Sequence, residues 1–366
     1  MTKEIGKPLY RKGRDEQIFT ELRRKANNLV AKFEPERRTG ILLKAFLFPL
    51  LYFACWILAI TSGGNALVIY ACYFGMGVMV VLNYLNIIHD AVHHTIFKNR
   101  ALNDLYVYLF DLLGANSFIW KMRHIRFRHN YPNVDGWDTD IDQSALVRIA
   151  PQTPISRFHK YQHLYLPIMY PLFLFNWLVI RDFKDFFDKR RTVHKLVTIP
   201  KIEYIKLFFF KFIFFAYSFI LPKFLLGISW SIIITAFGIM IFTASILALI
   251  VLLPPHANTE SVFPVTDEEN KLPHSWFMHM LKTTNDIDGT NWVTRFVMGN
   301  YNYHIVHHLF PNIHHAFYPE ITQELRLLCK DHNLPYRSYG LGNALKNHYL
   351  LLKQNRFDMN IWEEDM

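Results

Sequence analysis

The chain has 366 residues, 51% of them hydrophobic and 16% aromatic, and its charged residues, 19% of the total, gather in blocks separated by long apolar runs. A bilayer crossing needs about 20 apolar residues per helix, so this composition excludes a disordered chain and indicates an integral membrane protein with sizeable aqueous parts. The net charge of +10 is accounted for by topology and anionic headgroups, leaving no nucleic acid among the expected partners, while the scattered Cys55, Cys72 and Cys329 exclude a disulfide framework or a zinc ribbon.

Residues 1–44 are polar and mixed in charge, and read as an amphipathic or loosely ordered cytoplasmic tail without a cleavable leader. The spans "AFLFPLLYFACWILAI" (45–60) and "ALVIYACYFGMGVMVVLNYLNII" (66–88) are joined by "TSGGN", an uncharged turn that suits a helical hairpin. A second pair, 205–226 and 229–253, repeats the arrangement, with Lys206 and Lys211 expected to snorkel toward the interface. The run at 164–180, broken by Pro167 and Pro171, reads with 105–120 as helix lying at the interface. The expected fold is therefore all-α: four transmembrane helices as two hairpins, interfacial helices, and a helical cap from 89–204 and 254–366, with 45–366 as one domain. Lys and Arg crowd the tail, the 95–204 stretch and the C-terminal part, against a single Lys223 in the two opposite turns, so the cap is expected on the cytoplasmic side.

Most of the 18 histidines fall on that side. "HDAVHH" puts His89 and His93 four apart, on one helical face. "KMRHIRFRHN" supplies His124 and His129, "LPPHANTE" places His256 just beyond the fourth span, and "YNYHIVHH" puts His304, His307 and His308 in a single stripe. Imidazole suits iron, zinc and copper, and neither cysteine nor a glutamate base joins the clusters, which argues against a zinc peptidase and for an all-nitrogen transition-metal site. There are too many imidazoles for one tetrahedral zinc and enough for two iron ions. His159, His194, His274 and His348, taken singly, read as ordinary interfacial polar residues.

The boxes, "W" at 120, "HNYPN" followed by "GWDTDID", "YQHLY" at 161–165 and "GNYNYHIVHHLFPNIHHAFYP" at 299–319 resemble the integral-membrane fatty acid desaturases with their three histidine boxes. The likeness runs from about His89 to Tyr318 and is nearest the bacterial acyl-lipid and linoleoyl-CoA-desaturase-like branch. Forms with a fused cytochrome b5 are less similar, since no heme-binding H-P-G-G occurs and the third box starts with His304 in place of glutamine. The resemblance implies two irons held by His89, His93, His124, His129, His256, His304, His307 and His308, with O2 as co-substrate. The implied substrate is a fatty acyl lipid, acyl-CoA or acyl-ACP, the implied electron donor a separate ferredoxin or cytochrome b5, and the implied location the bacterial inner membrane with the boxes facing the cytoplasm. A hydroxylase on the same scaffold is the enzymatic alternative.

One position departs from the pattern: the second box would carry histidine at both 128 and 129, and this chain has Arg128. Guanidinium offers no lone pair, and at about 5 Å with an effective dielectric near 20 each metal charge would repel it by roughly 3 kcal/mol. Three outcomes are open. The ligand set is completed by water or by His94; or one iron position is weakened, leaving an impaired metal-binding homologue; or Arg128 swings outward to bind an anionic group of substrate or donor. His94, His163 and Asp90 are the further candidates for completing or supporting the set, Asp90 reading equally as a helix-end residue in water. The acidic trio Asp138, Asp140 and Asp142 reads as either a solvated loop or a structural clamp.

Overall fold

The structure, a computed structural model, describes residues 6–141 and 144–357. In chain order its main helices are α1 (Glu16–Ile60), α2 (Ala66–Val92), α3 (Arg100–Val107), α4 (Ser117–Arg123), α5 (His159–Lys195), α6 (Lys201–Leu225), α7 (Trp230–Leu252), α8 (Trp276–Thr283), α9 (His304–Leu309), α10 (Tyr318–Asp331) and α11 (Leu341–Gln354). The described residues contain five helices long and apolar enough to cross a membrane: α1, α2, α5, α6 and α7. The fifth candidate, beyond the four spans expected, is the proline-broken run around Pro167 and Pro171, which lies within α5. A two-residue parallel pair, β1 (Asp286–Ile287) with β2 (Ser338–Tyr339), departs from the purely helical expectation.

Local chemistry sets the helix starts. The Asn65 side chain accepts the N–H groups of Leu67 and Val68 at the head of α2, and Ser229 accepts that of Ile232 at the head of α7. The centre of the bundle is α2, flanked by α1 and α7. Apolar helices in lipid gain little from hydrophobicity alone, so close backbone approach matters. A Cβ on Gly77 would sit 2.6 Å from the Met240 carbonyl oxygen, so only glycine lets α2 and α7 meet there. The residues divided in sequence between tail and first span form one helix. Its polar half is the amphipathic alternative: Phe19, Leu22 and Ala26 are buried, while Lys25 reaches Glu324 at 3.1 Å and Arg37 forms a two-pronged pair with Glu320 on α10.

Lys211 does not snorkel. It is buried on α6 and pairs with Asp182 of α5 at 2.7 Å, because the face of α6 that carries it packs inward, where a carboxylate neutralises the charge at lower cost than a long reach to water. Lys206 likewise bonds inside the protein, to the Tyr108 hydroxyl at 2.8 Å and Glu203 at 2.9 Å.

Candidate metal centre

The first two boxes each lie at a π-helical turn. Tyr84–Ile88 forms one immediately before His89, and His124–Arg128 forms the other, with the His129 N–H bonding the His124 carbonyl at 3.0 Å. In an α-helix residues five apart diverge. The i→i+5 turn brings them back onto one face, which explains the spacing of His124 and His129. The third box rides on α9, whose second amide is fixed by the Asp286 carboxylate accepting the Ile305 N–H at 2.8 Å. Gly299 allows the preceding loop to lie on α2, since a Cβ there would come within 3.0 Å of the Leu85 carbonyl oxygen and the Asn86 side chain.

All eight predicted ligands come together, in two groups. The candidate donor nitrogens of His89, His93, His124, His129 and His307 lie within 4.8 Å of one another, as do those of His256, His304 and His308. Ring centroids of His129 and His308, 4.9 Å apart, join the groups. His124 Nε2 stands 3.0 Å from the Nε2 atoms of both His93 and His129, and His256 Nε2 stands 2.7 Å from that of His304 and 2.9 Å from that of His308. A neutral imidazole has one N–H and one lone pair, so three converging Nε2 atoms cannot all be matched by protons. A cation between them would take every lone pair. Metal–imidazole bonds of about 2.1 Å at right angles place neighbouring nitrogens about 3.0 Å apart, which these spacings match. His89 Nε2 and His307 Nε2 are buried and have no hydrogen-bond partner among the described residues.

Electrostatics favour the ligating form. Burial, reinforced by neighbouring imidazoles and for several by the Arg128 charge, holds His124, His129, His256, His304, His307 and His308 well below the ordinary histidine pKa. They therefore stay neutral with lone pairs available.

Arg128 ends on neither group. Its guanidinium bonds Asp138, which also accepts the amides of Asn133 at 2.8 Å and Asp140 at 2.9 Å. Burial works against the Arg128 charge, but Asp138 and Asp140 outweigh it and hold its pKa above the usual value. The acidic stretch is thus a clamp and not a solvated loop for Asp138 and Asp140, with Arg181 on Asp140 at 3.1 Å; Asp142 lies outside the described residues. Two of the earlier alternatives fall. Arg128 does not swing outward, because the buried Asp138 carboxylate holds it, with the half-buried Asp140 at 3.9 Å. His94 does not complete the set, because its backbone turns into the left-handed region (φ 61°) and its ring goes to Asp104 at 3.2 Å. The fifth imidazole of the first group comes instead from His307. His163 stands apart, its ring centroid 5.8 Å from that of Tyr349.

Asp90 was among the candidates for supporting the set; the other surrounding residues were not foreseen. Asp90 is no helix-end residue in water: it accepts the His315 Nδ1–H at 2.7 Å and the His315 amide at 3.2 Å, and with His314 forms a third buried group. The Tyr318 hydroxyl meets His307 Nδ1 at 3.2 Å, which leaves Nε2 directed at the group. The Asn133 side chain donates to the His256 carbonyl at 3.2 Å, tying the clamp to the second group. The doubled histidine in "NIHH" was the signal for His314 and His315; Asp286, Asn133 and Tyr318 carried none, because their roles depend on tertiary contacts.

A cavity of about 440 Å³ runs to these groups, lined at one end by His124, His256, His304, His308 and Tyr301. Its remaining wall is largely apolar, including Leu166, Phe173, Trp177, Leu249 and Leu252, and it reaches the surface beside the exposed Leu146, Met169, Leu172 and Phe175.

A family model described as fatty acid desaturase matches residues 64–340. Among curated proteins, an acyl-lipid (8-3)-desaturase of Physcomitrium patens is 28% identical over 88% of this chain and 68% of its own length. The sn-1 linoleoyl-lipid 6-desaturase of Arthrospira platensis is 28% identical over 76% of this chain and 75% of its own length. A Synechocystis protein of the same description is 25% identical, covering 83% and 80%.

Proposed function

Because the chain belongs to the fatty acid desaturase family and is thus an oxidoreductase of lipid metabolism, we propose that it introduces a double bond into the acyl chain of a lipid or acyl thioester at a diiron centre. The observation that carries this reading is the convergence of eight imidazoles, five and three and all but His93 buried, with His124, His256, His304 and His308 at the inner end of an apolar cavity. Two iron ions bound there, with O2 as co-substrate, would supply the oxidation: two hydrogens leave adjacent methylenes, two electrons come one at a time from a separate donor of ferredoxin or cytochrome b5 type, two protons come from solvent, and two waters form.

The protein's own share is placement. The apolar wall from Leu166 to Leu252 excludes water and holds an extended chain, and Tyr301, whose ring lies 4.4 Å from that of His304, narrows the cavity where a methylene pair must stop. Asp90 fixes His315, and Tyr318 sets the His307 tautomer. Arg128 keeps its charge on Asp138, so the substituted box does not set a free cation against the metals. The proposed topology keeps four spans. Prolines and the buried charges Arg181, Asp182 and Asp185 make α5 a poor crossing and support a position along the interface. The Lys and Arg distribution supports the boxes on the cytoplasmic side, and the cyanobacterial relatives support a bacterial inner membrane.

The test is expression in a host of defined lipid composition, followed by mass spectrometry of its acyl chains. A new double bond that disappears in His256→Ala is expected. A hydroxylated chain without new unsaturation, or unaltered lipids, would overturn the reading.

A further inference from the structure

A second cavity of about 380 Å³ lies against the first and shares four wall residues with it: Tyr170, Leu249, Leu253 and His348. Its own lining is apolar, with Pro167 and Pro171 from α5, Ile246 and Ile250 from α7, and Leu345 from α11. Neither the histidine groups nor any charged side chain reaches it. Both volumes fall in the range of ligand cavities, roughly 300–1,000 Å³.

The wall between the two cavities is anchored at both ends. The His348 Nδ1–H donates to the Ala257 carbonyl at 2.9 Å, since a carbonyl can only accept, so Nε2 is the acceptor for the Tyr170 hydroxyl at 2.6 Å. Ala257 follows His256, so the wall is tied to the chain that carries a candidate ligand. A hydrogen-bonded divider of this kind keeps two chambers apart, and two apolar chambers side by side suit two hydrocarbon chains leaving one headgroup.

We infer that the second cavity holds the other acyl chain of a two-chain lipid whose first chain occupies the histidine-lined cavity. The inference rests on the desaturase reading above and narrows its substrate from acyl groups in general to intact membrane lipid. A one-chain substrate, whether thioester or lysolipid, leaves the second cavity unused.

Leu345 and Ile246 line only the second cavity and are part-exposed, so Leu345→Trp and Ile246→Trp fill it without touching the first. Each variant is compared with the wild type on dioleoyl phosphatidylglycerol and on its one-chain lyso form. Losing burial of even two methylene groups corresponds to about ten-fold, so kcat/KM on the two-chain lipid should fall at least about ten-fold while that on the lyso form holds. Equal losses on both lipids, or no loss on either, would overturn the inference. Native mass spectrometry of the solubilised protein decides independently of turnover: the variants should lose retention of the two-chain lipid and keep the lyso form, and undiminished two-chain retention refutes the inference. Desaturation of neither lipid by the wild type would instead count against the functional reading.

Discussion

Replacing Arg128 by alanine strands Asp138, whose side chain is 0% exposed, without its guanidinium. Removing one partner of a buried pair costs about 3–5 kcal/mol, toward the lower end here because the Asn133 and Asp140 amides still solvate the carboxylate. Burial pushes the Asp138 carboxyl up and Arg128 pulls it down, so in the variant burial and the Asp140 charge are opposed only by the Asn133 and Asp140 amides, and the folded state favours the protonated acid. A carboxyl raised in the folded state gives stability that is present below its unfolded pKa, about 4, and is lost as pH rises through the folded value. Arg128→Ala should therefore be hurt most in mildly alkaline buffer and least in mildly acidic buffer. With the entropy scaling of a chain this long, the thermal unfolding midpoint in detergent should fall by about 5 °C on the alkaline side. Adding Asp138→Asn to Arg128→Ala should recover part of the loss and flatten its pH dependence, a coupling that distant sites would not show. An unchanged midpoint, or the same loss at both pH values, would refute the clamp.

His307→Ala should lower both iron content and unsaturated product markedly, since His307 supplies the fifth imidazole of the first group; unchanged double-bond formation would remove it from the site. Asp286, pushed up to about 7 by burial, holds the start of α9. Its contribution should be fully present below about pH 4 and lost as pH rises through 7, and Asp286→Asn should flatten that decline in the unfolding midpoint. Stripping metal with a chelator should lower the midpoint as well, by about 2.7 kcal/mol of stability for a metal held at a hundred times its Kd, and re-addition of iron should restore it. A midpoint indifferent to the chelator would mean that the imidazole groups hold nothing.

The candidate set was legible because it is local: His89 with His93, and His304 with His307 and His308, are set by helical spacing alone. The partition into five and three was not, because His307 and His308, adjacent in sequence, face different groups, and the tertiary packing of α9, against α8 and α10, decides which. Arg128 shows the same limit from the other side. Its chemistry barred it from the metals, but the place it goes depends on Asp138 being buried ten residues later. The spans at 45–60, 66–88, 205–226 and 229–253 follow from hydropathy. The continuation of α1 back to Glu16 and the inward turn of Lys211 do not, since both rest on partners far along the chain, Glu320 and Glu324 for the first and Asp182 for the second.

The proposal that the eight imidazoles hold two irons despite Arg128 is tested most directly by iron per chain in protein purified from iron-replete cells, beside Arg128→His. Two irons are predicted in the wild type, with no further iron gained in Arg128→His. One iron or none in the wild type, with two restored by Arg128→His, would contradict it, since the arginine would then have disarmed one of the two positions.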